Sequence, residues 1–381
     1  MQIELTEEHK LLRENVRRFA AEVVAPRAKE IDESGEFPRS FYDQAGELGL
    51  AGVTVPEEYG GAGMDTVSYC LAIEEVSRVC ATSGVILSVN NSLVCDPLLK
   101  FGSEEQKQEF LAPLARGEKL GCFALTEPGA GSDAAGLRST AVRDGDDYVL
   151  NGNKVFITNG TDADVALVFA SIDLAKRHKG ITAFIVPADT PGYHHGTHEF
   201  KLGVNASGTT ELAFTDMRVP ARQRLGADGE GFKVAMSTLD GGRIGIAAQA
   251  VGIAQGAFEE ALAYAQQREQ FNRKLAEFQA IQFYLADMQT ELDAARLLTW
   301  KAAWAKDAGK RFTLEAAQAK LFASEMAQRV TNKALQIHGG YGYTKEYNVE
   351  RYFRDARITE IYEGTSEIQK MVIADWVLNR A

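Results

Sequence analysis

The spacing of apolar positions changes character twice along the chain, and each change predicts a change of architecture. Leu11, Leu12, Val16, Phe19 and Val23 recur at helical intervals. Pro26 and the segment between Gly35 and Pro38 break the pattern, which resumes over 41–50. A glycine-rich stretch follows over 52–63. It lacks the G-x-G-x-x-G order after a strand and has no Walker lysine, so it reads as a turn rather than a phosphate cradle. Helical spacing returns over 67–99 and 104–114. From about residue 120 to 225, β-branched residues and glycines take over. Segments at 148–158, 164–170, 180–187 and 210–214 read as strands, and Asn151 and Gly152 between alternating segments predict a hairpin turn. Strands and helices do not alternate here, so the expected sheet is antiparallel, with no Rossmann half. From Gly231 the chain is helical again and alanine-rich. Leu285, Met288, Leu292, Ala295 and Leu298 form one apolar stripe of the kind that builds a helix bundle. The expected fold class is α+β, with an N-terminal helical domain over 1–120, a middle antiparallel β domain over 121–228 and a C-terminal helical bundle over 229–381.

Length and charge narrow the function. A chain of 381 residues exceeds one ordinary core and fits two or three domains. A formal net charge of -12 argues against a nucleic-acid or anionic-membrane partner, which would need an excess of Lys and Arg. No apolar run approaches a membrane span. The acidic start, with Glu4, Glu7 and Glu8, is unlike a signal or transit peptide. The expected location is therefore the cytoplasm of a bacterium, or the mitochondrial matrix for a mature form. Cys70, Cys80, Cys95 and Cys122 include no C-x-x-C pair and read as buried thiols. His194, His195 and His198 read as a polar loop; with no cysteine or H-E-x-x-H pattern nearby, no metal site is expected.

The richest stretch for chemistry runs over 336–369. Glycines cluster at its start, arginines and carboxylates alternate through it, and Glu363 stands directly before Gly364. A glycine there permits a sharp turn that would aim Glu363 into a cavity. Thr365, Ser366 and Glu367 look like a helix start, where anions are favoured. The same residues also describe a capped helix with a solvated Glu363. In the segment from Phe123 to Asp133, hydroxyls at Thr126 and Ser132 and small residues between them suit the edge of a flat heteroaromatic ring, or an ordinary Pro-Gly turn. Phe156, Ile157 and Thr158 place an aromatic and a hydroxyl near a strand end. Asp240 and Arg243 flank two glycines that open a helix; Arg243 can fork onto a phosphate or carbonyl, or pair locally. Arg268 and Gln279 are 11 residues apart, close to three helical turns, and so share a helix face suited to a pyrophosphate, a partner subunit or solvent.

Taken together, Thr126 to Asp133, Gln267 to Phe271 and the 336–369 stretch resemble the acyl-CoA dehydrogenase family over nearly the whole chain, most closely its short-chain, butyryl-type members. The resemblance implies three domains ending in a four-helix bundle, a homotetramer, one FAD per subunit, an acyl-CoA substrate and an electron-transfer flavoprotein as acceptor. It implies that Phe123, Leu125, Thr126, Gly131, Ser132, Phe156, Ile157 and Thr158 line the isoalloxazine. Arg268, Phe271 and Gln279, with Gln336, Ile337, Gly339 and Gly340, would reach the FAD of a neighbouring subunit. Thr365 and Glu367 would hold the adenine-dinucleotide part. Ser132, Asp240, Arg243 and Gly364 would contact acyl-CoA. Glu363 would be the catalytic base, removing the α-proton while flavin N5 accepts the β-hydride, to give a trans-2-enoyl-CoA.

The chain departs from the family pattern in places. Phe156 stands where Trp is usual, Asn272 where Gly is common and Asn205 where Arg is common. Some branched- and long-chain relatives carry the base near the position of Gly242, which cannot serve, so Glu363 is the one candidate. Val85 and Ile86 are apolar where glutaryl-type relatives carry an Arg, which argues against a dicarboxylyl substrate. Asn90, Asn91 and Asp96 are expected to add polarity near the acyl end. That keeps a cyclic or hydroxylated acyl group open, and a branched one is a further alternative to a short straight one. An acyl-CoA oxidase using oxygen is the nearest rival, although such chains are usually much longer.

Overall fold

The computed structural model describes residues 4–379. Thr6 starts the first helix, Glu7–Phe19, by accepting the His9 N–H on its hydroxyl. Asp65 does the same for Ser68 at the head of Thr66–Ser77, and its carboxylate also meets the His9 ring. The next helix, Ala81–Ser88, runs without a break through a wide π-type turn, Val89–Cys95, into Asp96–Phe101. Such a turn inside a helix re-aims side chains.

Here it spends the polar residues that were expected at the acyl end. Asn90 donates to the carbonyls of Ala51 and Leu114 and accepts from Gly121 N. Asn91 accepts from Val53 N at 2.8 Å and donates to the carbonyls of Leu50 and Leu87, both at 2.9 Å. Asp96 pairs with Lys306 and Lys100. Burial pushes its carboxyl up, but the two cations hold it below its ordinary value. These side chains stitch buried backbone together, so the sequence ground for a hydroxylated or cyclic acyl group falls away. Asn91→Leu strands up to three buried backbone groups and should cost about 3 kcal/mol or more, read as a lower midpoint in denaturant unfolding.

The middle of the chain forms an eight-stranded sheet. Across it the order is Tyr193–His198, Thr210–Pro220, Asp147–Ile157, Thr140–Asp144, Val165–Ser171, Ile181–Pro187 and Arg224–Leu225, while Gly121–Ala124 lies along Val165–Ser171. Most pairings are antiparallel. Gly121–Ala124 runs parallel to its neighbour, and Thr140 pairs Ser171 in the same sense. The Asn151–Gly152 pair is not a hairpin turn. Asp147–Ile157 passes straight through it as one strand, and the turn lies at Gly145, whose φ is 64°. Gly152 instead sits at a bulge in the pairing with Thr210–Pro220, and a Cβ there would come within 2.2 Å of the Ser139 hydroxyl. The histidine run is not a loop either but part of the edge strand Tyr193–His198. Val165–Ser171 is buried on both faces. Its odd residues pack with Val94, Leu98, Phe110 and Leu111, and its even ones with Tyr148, Phe184, Leu212 and Phe214.

Helix Gly231–Gln267 then returns to the N-terminal helices. Asp240 and Arg243 lie well inside it, so their glycines do not open it. Burial outweighs the poor helix propensity of Gly241 and Gly242, both buried, because small residues allow close approach. One apolar core holds Phe41 and Ile73 from the N-terminal part with Ala247, Val251, Met288, Leu292, Ala323 and Ala327 from the C-terminal part. Helices Gln279–Asp307 and Thr313–His338 complete the bundle, followed by Val349–Arg357 and Ser366–Asn379. Among the described residues no helix is long and apolar enough to cross a membrane.

Candidate active site

Glu363 occupies a left-handed turn, with φ of 51°, and Gly364 follows at 93°. A non-glycine residue in that region is strained, and such strain concentrates at functional sites. Thr365 caps the helix Ser366–Asn379 by accepting from Ile368 N. Lys320 and Gln369 both donate to the Gly364 carbonyl, at 2.7 and 2.9 Å. The Glu363 N–H has no acceptor among the described residues.

The side chain lies against the long helix. A Cβ built on Gly242 would stand 2.0 Å from Glu363 Oε2 and 2.8 Å from the Leu93 side chain. Oε2 itself is buried with no hydrogen-bond partner among the described residues, although the residue as a whole keeps some exposure. Burial lifts the carboxyl to about 7, against the pull of Lys320 and Arg243 in the other direction. The surrounding walls are apolar: Val85, Val89 and Leu93 pack with Phe123 and with Tyr362, whose hydroxyl donates to Gln249. An unpaired carboxylate in an apolar pocket, with a pKa near neutrality, is equipped to take a proton from a weak carbon acid.

Arg243 and Asp240 sit one turn apart beside this pocket. Asp240 holds Arg243 at 2.6 Å and accepts from Thr313, while Arg243 Nε is buried and has no partner among the described residues. Ser366 Oγ and Gln369 Oε1 are also buried without partners. Ser366 opens the helix Ser366–Asn379, and a helix N-terminus favours an anion.

The segment after strand Gly121–Ala124 is held by a residue that sequence reasoning gave no role. Glu127 accepts Lys154 Nζ at 2.7 Å and the N–H groups of Arg138 and Ser139. Lys154 also reaches the Leu125 carbonyl, and Val155 N donates to Thr126 O. This ties the segment bearing Thr126, Gly131 and Ser132 to the strand that carries Phe156 and Ile157, with Thr158 in the turn just beyond it. Leu125 and Ile157 point into the core. Phe156 has φ of 58° and leaves 65% of its surface exposed. An exposed aromatic on a strained backbone fits the face of a flat ring. The missed signal was Lys154, a charged residue directly before the apolar run Val155, Phe156 and Ile157.

Arg268 and Gln279 do not share a helix. The long helix stops at Gln267, a two-stranded hairpin of Glu269–Gln270 and Arg273–Lys274 intervenes, and Gln279 begins the next helix. Phe271 and Asn272, both with positive φ, make the turn between the strands, and Asn tolerates that region well. Arg268 lies over the Tyr341 ring next to Gly339 and Gly340, and Phe271 packs edge-on to Phe278. Gln336, Gly339 and Gly340 are exposed and Ile337 is buried. Among the described residues, no hydrogen bond, ion pair or ring contact connects this group to Phe156 or Glu363. Glu367 is exposed on the first turn of its helix.

The chain matches the family models for the N-terminal, middle and C-terminal domains of acyl-CoA dehydrogenase over residues 6–118, 122–217 and 229–378. It is 54% identical over 376 residues to the mitochondrial short-chain specific acyl-CoA dehydrogenase of Bos taurus, a match covering 99% of this chain and 91% of that protein. Its structure superposes on butyryl-CoA dehydrogenase from Megasphaera elsdenii with a TM-score of 0.98, 48% identity and full coverage of both chains. The same TM-score, at 49% identity and full coverage, relates it to a chain in a structure of the electron transferring flavoprotein of Acidaminococcus fermentans.

Proposed function

Because the chain belongs to the acyl-CoA dehydrogenase family, we propose that it catalyses FAD-dependent α,β-dehydrogenation of a short-chain or compact acyl-CoA, with Glu363 as the base. The observation that carries this reading is the unpaired Glu363 Oε2, sealed between Gly242 and Leu93 in an apolar pocket. Glu363 takes the α-proton. Its free N–H is suited to the thioester oxygen, where negative charge grows as the proton leaves. Val85, Val89, Leu93 and Tyr362 exclude water, which keeps the carboxylate basic. Asp240 and Arg243, with Ser132 and Gly364, receive the acyl-CoA.

When bound, FAD supplies the acceptor for the β-hydride. Phe123, Thr126, Gly131, Ser132, Phe156 and Thr158, with the backbone of Leu125 and Ile157, whose side chains point into the core, would hold its ring, and Thr365 and Glu367 would hold its adenine-dinucleotide part. An electron-transfer flavoprotein takes the electrons onward, in a bacterial cytoplasm or mitochondrial matrix. Arg268, Phe271, Gln279 and the Gln336 to Gly340 segment serve the FAD of a neighbouring subunit in a homotetramer. Phe271, Phe283 and Tyr343 support this, since they are 87%, 59% and 84% exposed on the C-terminal part and need a cover.

The test is anaerobic bleaching of the flavin by butyryl-, octanoyl-, isobutyryl- and glutaryl-CoA. Butyryl-CoA should bleach it fastest. The kcat/KM profile should rise with pH and reach half its plateau near 7, because only the ionised carboxylate accepts the proton and its pKa is lifted to about 7. No bleaching by any thioester, or a rate that is flat from pH 5 to 9, would overturn the reading.

A further inference from the structure

Lys320 is a charged residue that the reaction as described does not use. It lies on the stripe Ala316, Ala319, Lys320, Ala323 and Ala327 of helix Thr313–His338, and its side chain has no solvent exposure. Among the described residues its one hydrogen-bond acceptor is the Gly364 carbonyl, at 2.7 Å, and none of their carboxylates forms an ion pair with it. An ammonium group is costly to bury, and a bundle gains nothing in stability from one without a counter-ion. Methionine would fill the same stripe at lower cost. What the amine does contribute is a fixed anchor on the residue next to Glu363, and a positive charge on the same side of the pocket.

We propose that Lys320 is a positioning residue for the proposed base: its amine pins the Glu363–Gly364 turn and stabilises the ionised carboxylate ahead of proton abstraction. This rests on Glu363 being the base. The charged and titratable groups around the carboxylate come from every neighbouring element. Lys320 stands on helix Thr313–His338, Arg243 with Asp240 on helix Gly231–Gln267, and Glu367 on helix Ser366–Asn379. Tyr69 and Tyr362 also face it. Arg243 already has Asp240 at 2.6 Å, so its charge is largely matched. Lys320 is the cation without a carboxylate of its own. Burial brings its amine down to about 7, and Glu363 is the first group to hold it up. Carboxylate and amine therefore support each other's charge. Gln369, which donates to the same carbonyl, pins the turn without adding charge.

The experiment compares kcat/KM against pH for Lys320→Met, Lys320→Arg and Gln369→Leu holoenzymes. Lys320→Met should lose about tenfold to a hundredfold in kcat, and its ascending midpoint should move up by about one pH unit, because the carboxylate has lost a stabilising cation. Lys320→Arg should restore the midpoint. Gln369→Leu should lower kcat and leave the midpoint where it is. An unmoved midpoint in Lys320→Met overturns the proposal whatever happens to the rate, since loss of packing alone does not shift a titration. If Lys320→Met fails to retain flavin, Lys320→Gln is titrated in its place and read the same way. Failure of both to retain flavin also overturns it, in favour of a purely structural lysine. Glu363→Gln separates the two levels: if it is active the base itself is misassigned, and if it is inactive while the Lys320→Met midpoint is unmoved, only the role of Lys320 falls.

Discussion

Glu363→Gln should lower kcat for butyryl-CoA on the order of a thousandfold and leave the flavin bound. The size follows from removing a general base with no deputy nearby. Tyr69 and Tyr362 are pushed well above neutrality by burial, Arg243 is a cation, the Lys320 amine is engaged with the Gly364 carbonyl, and Asp240 is committed to Arg243 and Thr313. The fold should not suffer. A carboxyl whose pKa is lifted from 4.5 to about 7 binds its proton more tightly in the folded state. Its contribution to stability is thus lost as pH rises through that window. A neutral amide avoids this cost, so the variant should melt no lower than the wild type at pH 8. Stopped-flow bleaching and a melting curve on the same preparation give both numbers. Bleaching within tenfold of wild type would remove Glu363 from the mechanism.

Gly242→Ala should have the second largest effect. Alanine improves helix propensity by about 1 kcal/mol, so the helix itself has no reason to break. The new methyl, however, would arrive 2.0 Å from Oε2 and 3.1 Å from the carboxyl carbon, with Leu93 closing the other side. The carboxylate must move, and a displacement near 1 Å from a reactive geometry costs about a hundredfold. We expect kcat/KM to fall by about that factor with flavin absorbance intact. Gly241→Ala is the matched control: its methyl meets only Lys306 Nζ at 3.6 Å and Asp96 at 3.9 Å, which is ordinary contact. Equal activity in the two variants would mean that the Gly242 contact does not set the position of the base.

The α, β, α order was legible because it rests on periodicity within each segment. Leu11 to Val23, the strands at 164–170 and 180–187, and the stripe through Met288 and Leu292 each announce one element from its own residues. The turn at Glu363 was legible for the same reason: a glycine, two hydroxyls and an acid act on their immediate neighbours. What misled was also local. Asn151 and Gly152 have hairpin chemistry, but pairing with Thr210–Pro220 on one side and Thr140–Asp144 on the other keeps the strand straight. Arg268 and Gln279 kept helical spacing, yet two positive-φ residues between them fold a hairpin.

The sequence alone thus determined the classes of element, their order and the residue types gathered in the 336–369 stretch, since these follow from interactions a few residues long. Only the tertiary structure decided what each buried polar group is for. Asn90 and Asn91 became backbone partners, and Glu127 and Lys154 an internal clasp. Lys320 was set against a carbonyl far along the chain, and Gly242 against Glu363. Those outcomes depend on which groups are brought within about 3 Å in a dry interior, where an unpaired dipole or charge is expensive. Spacing along one chain carries no record of that choice.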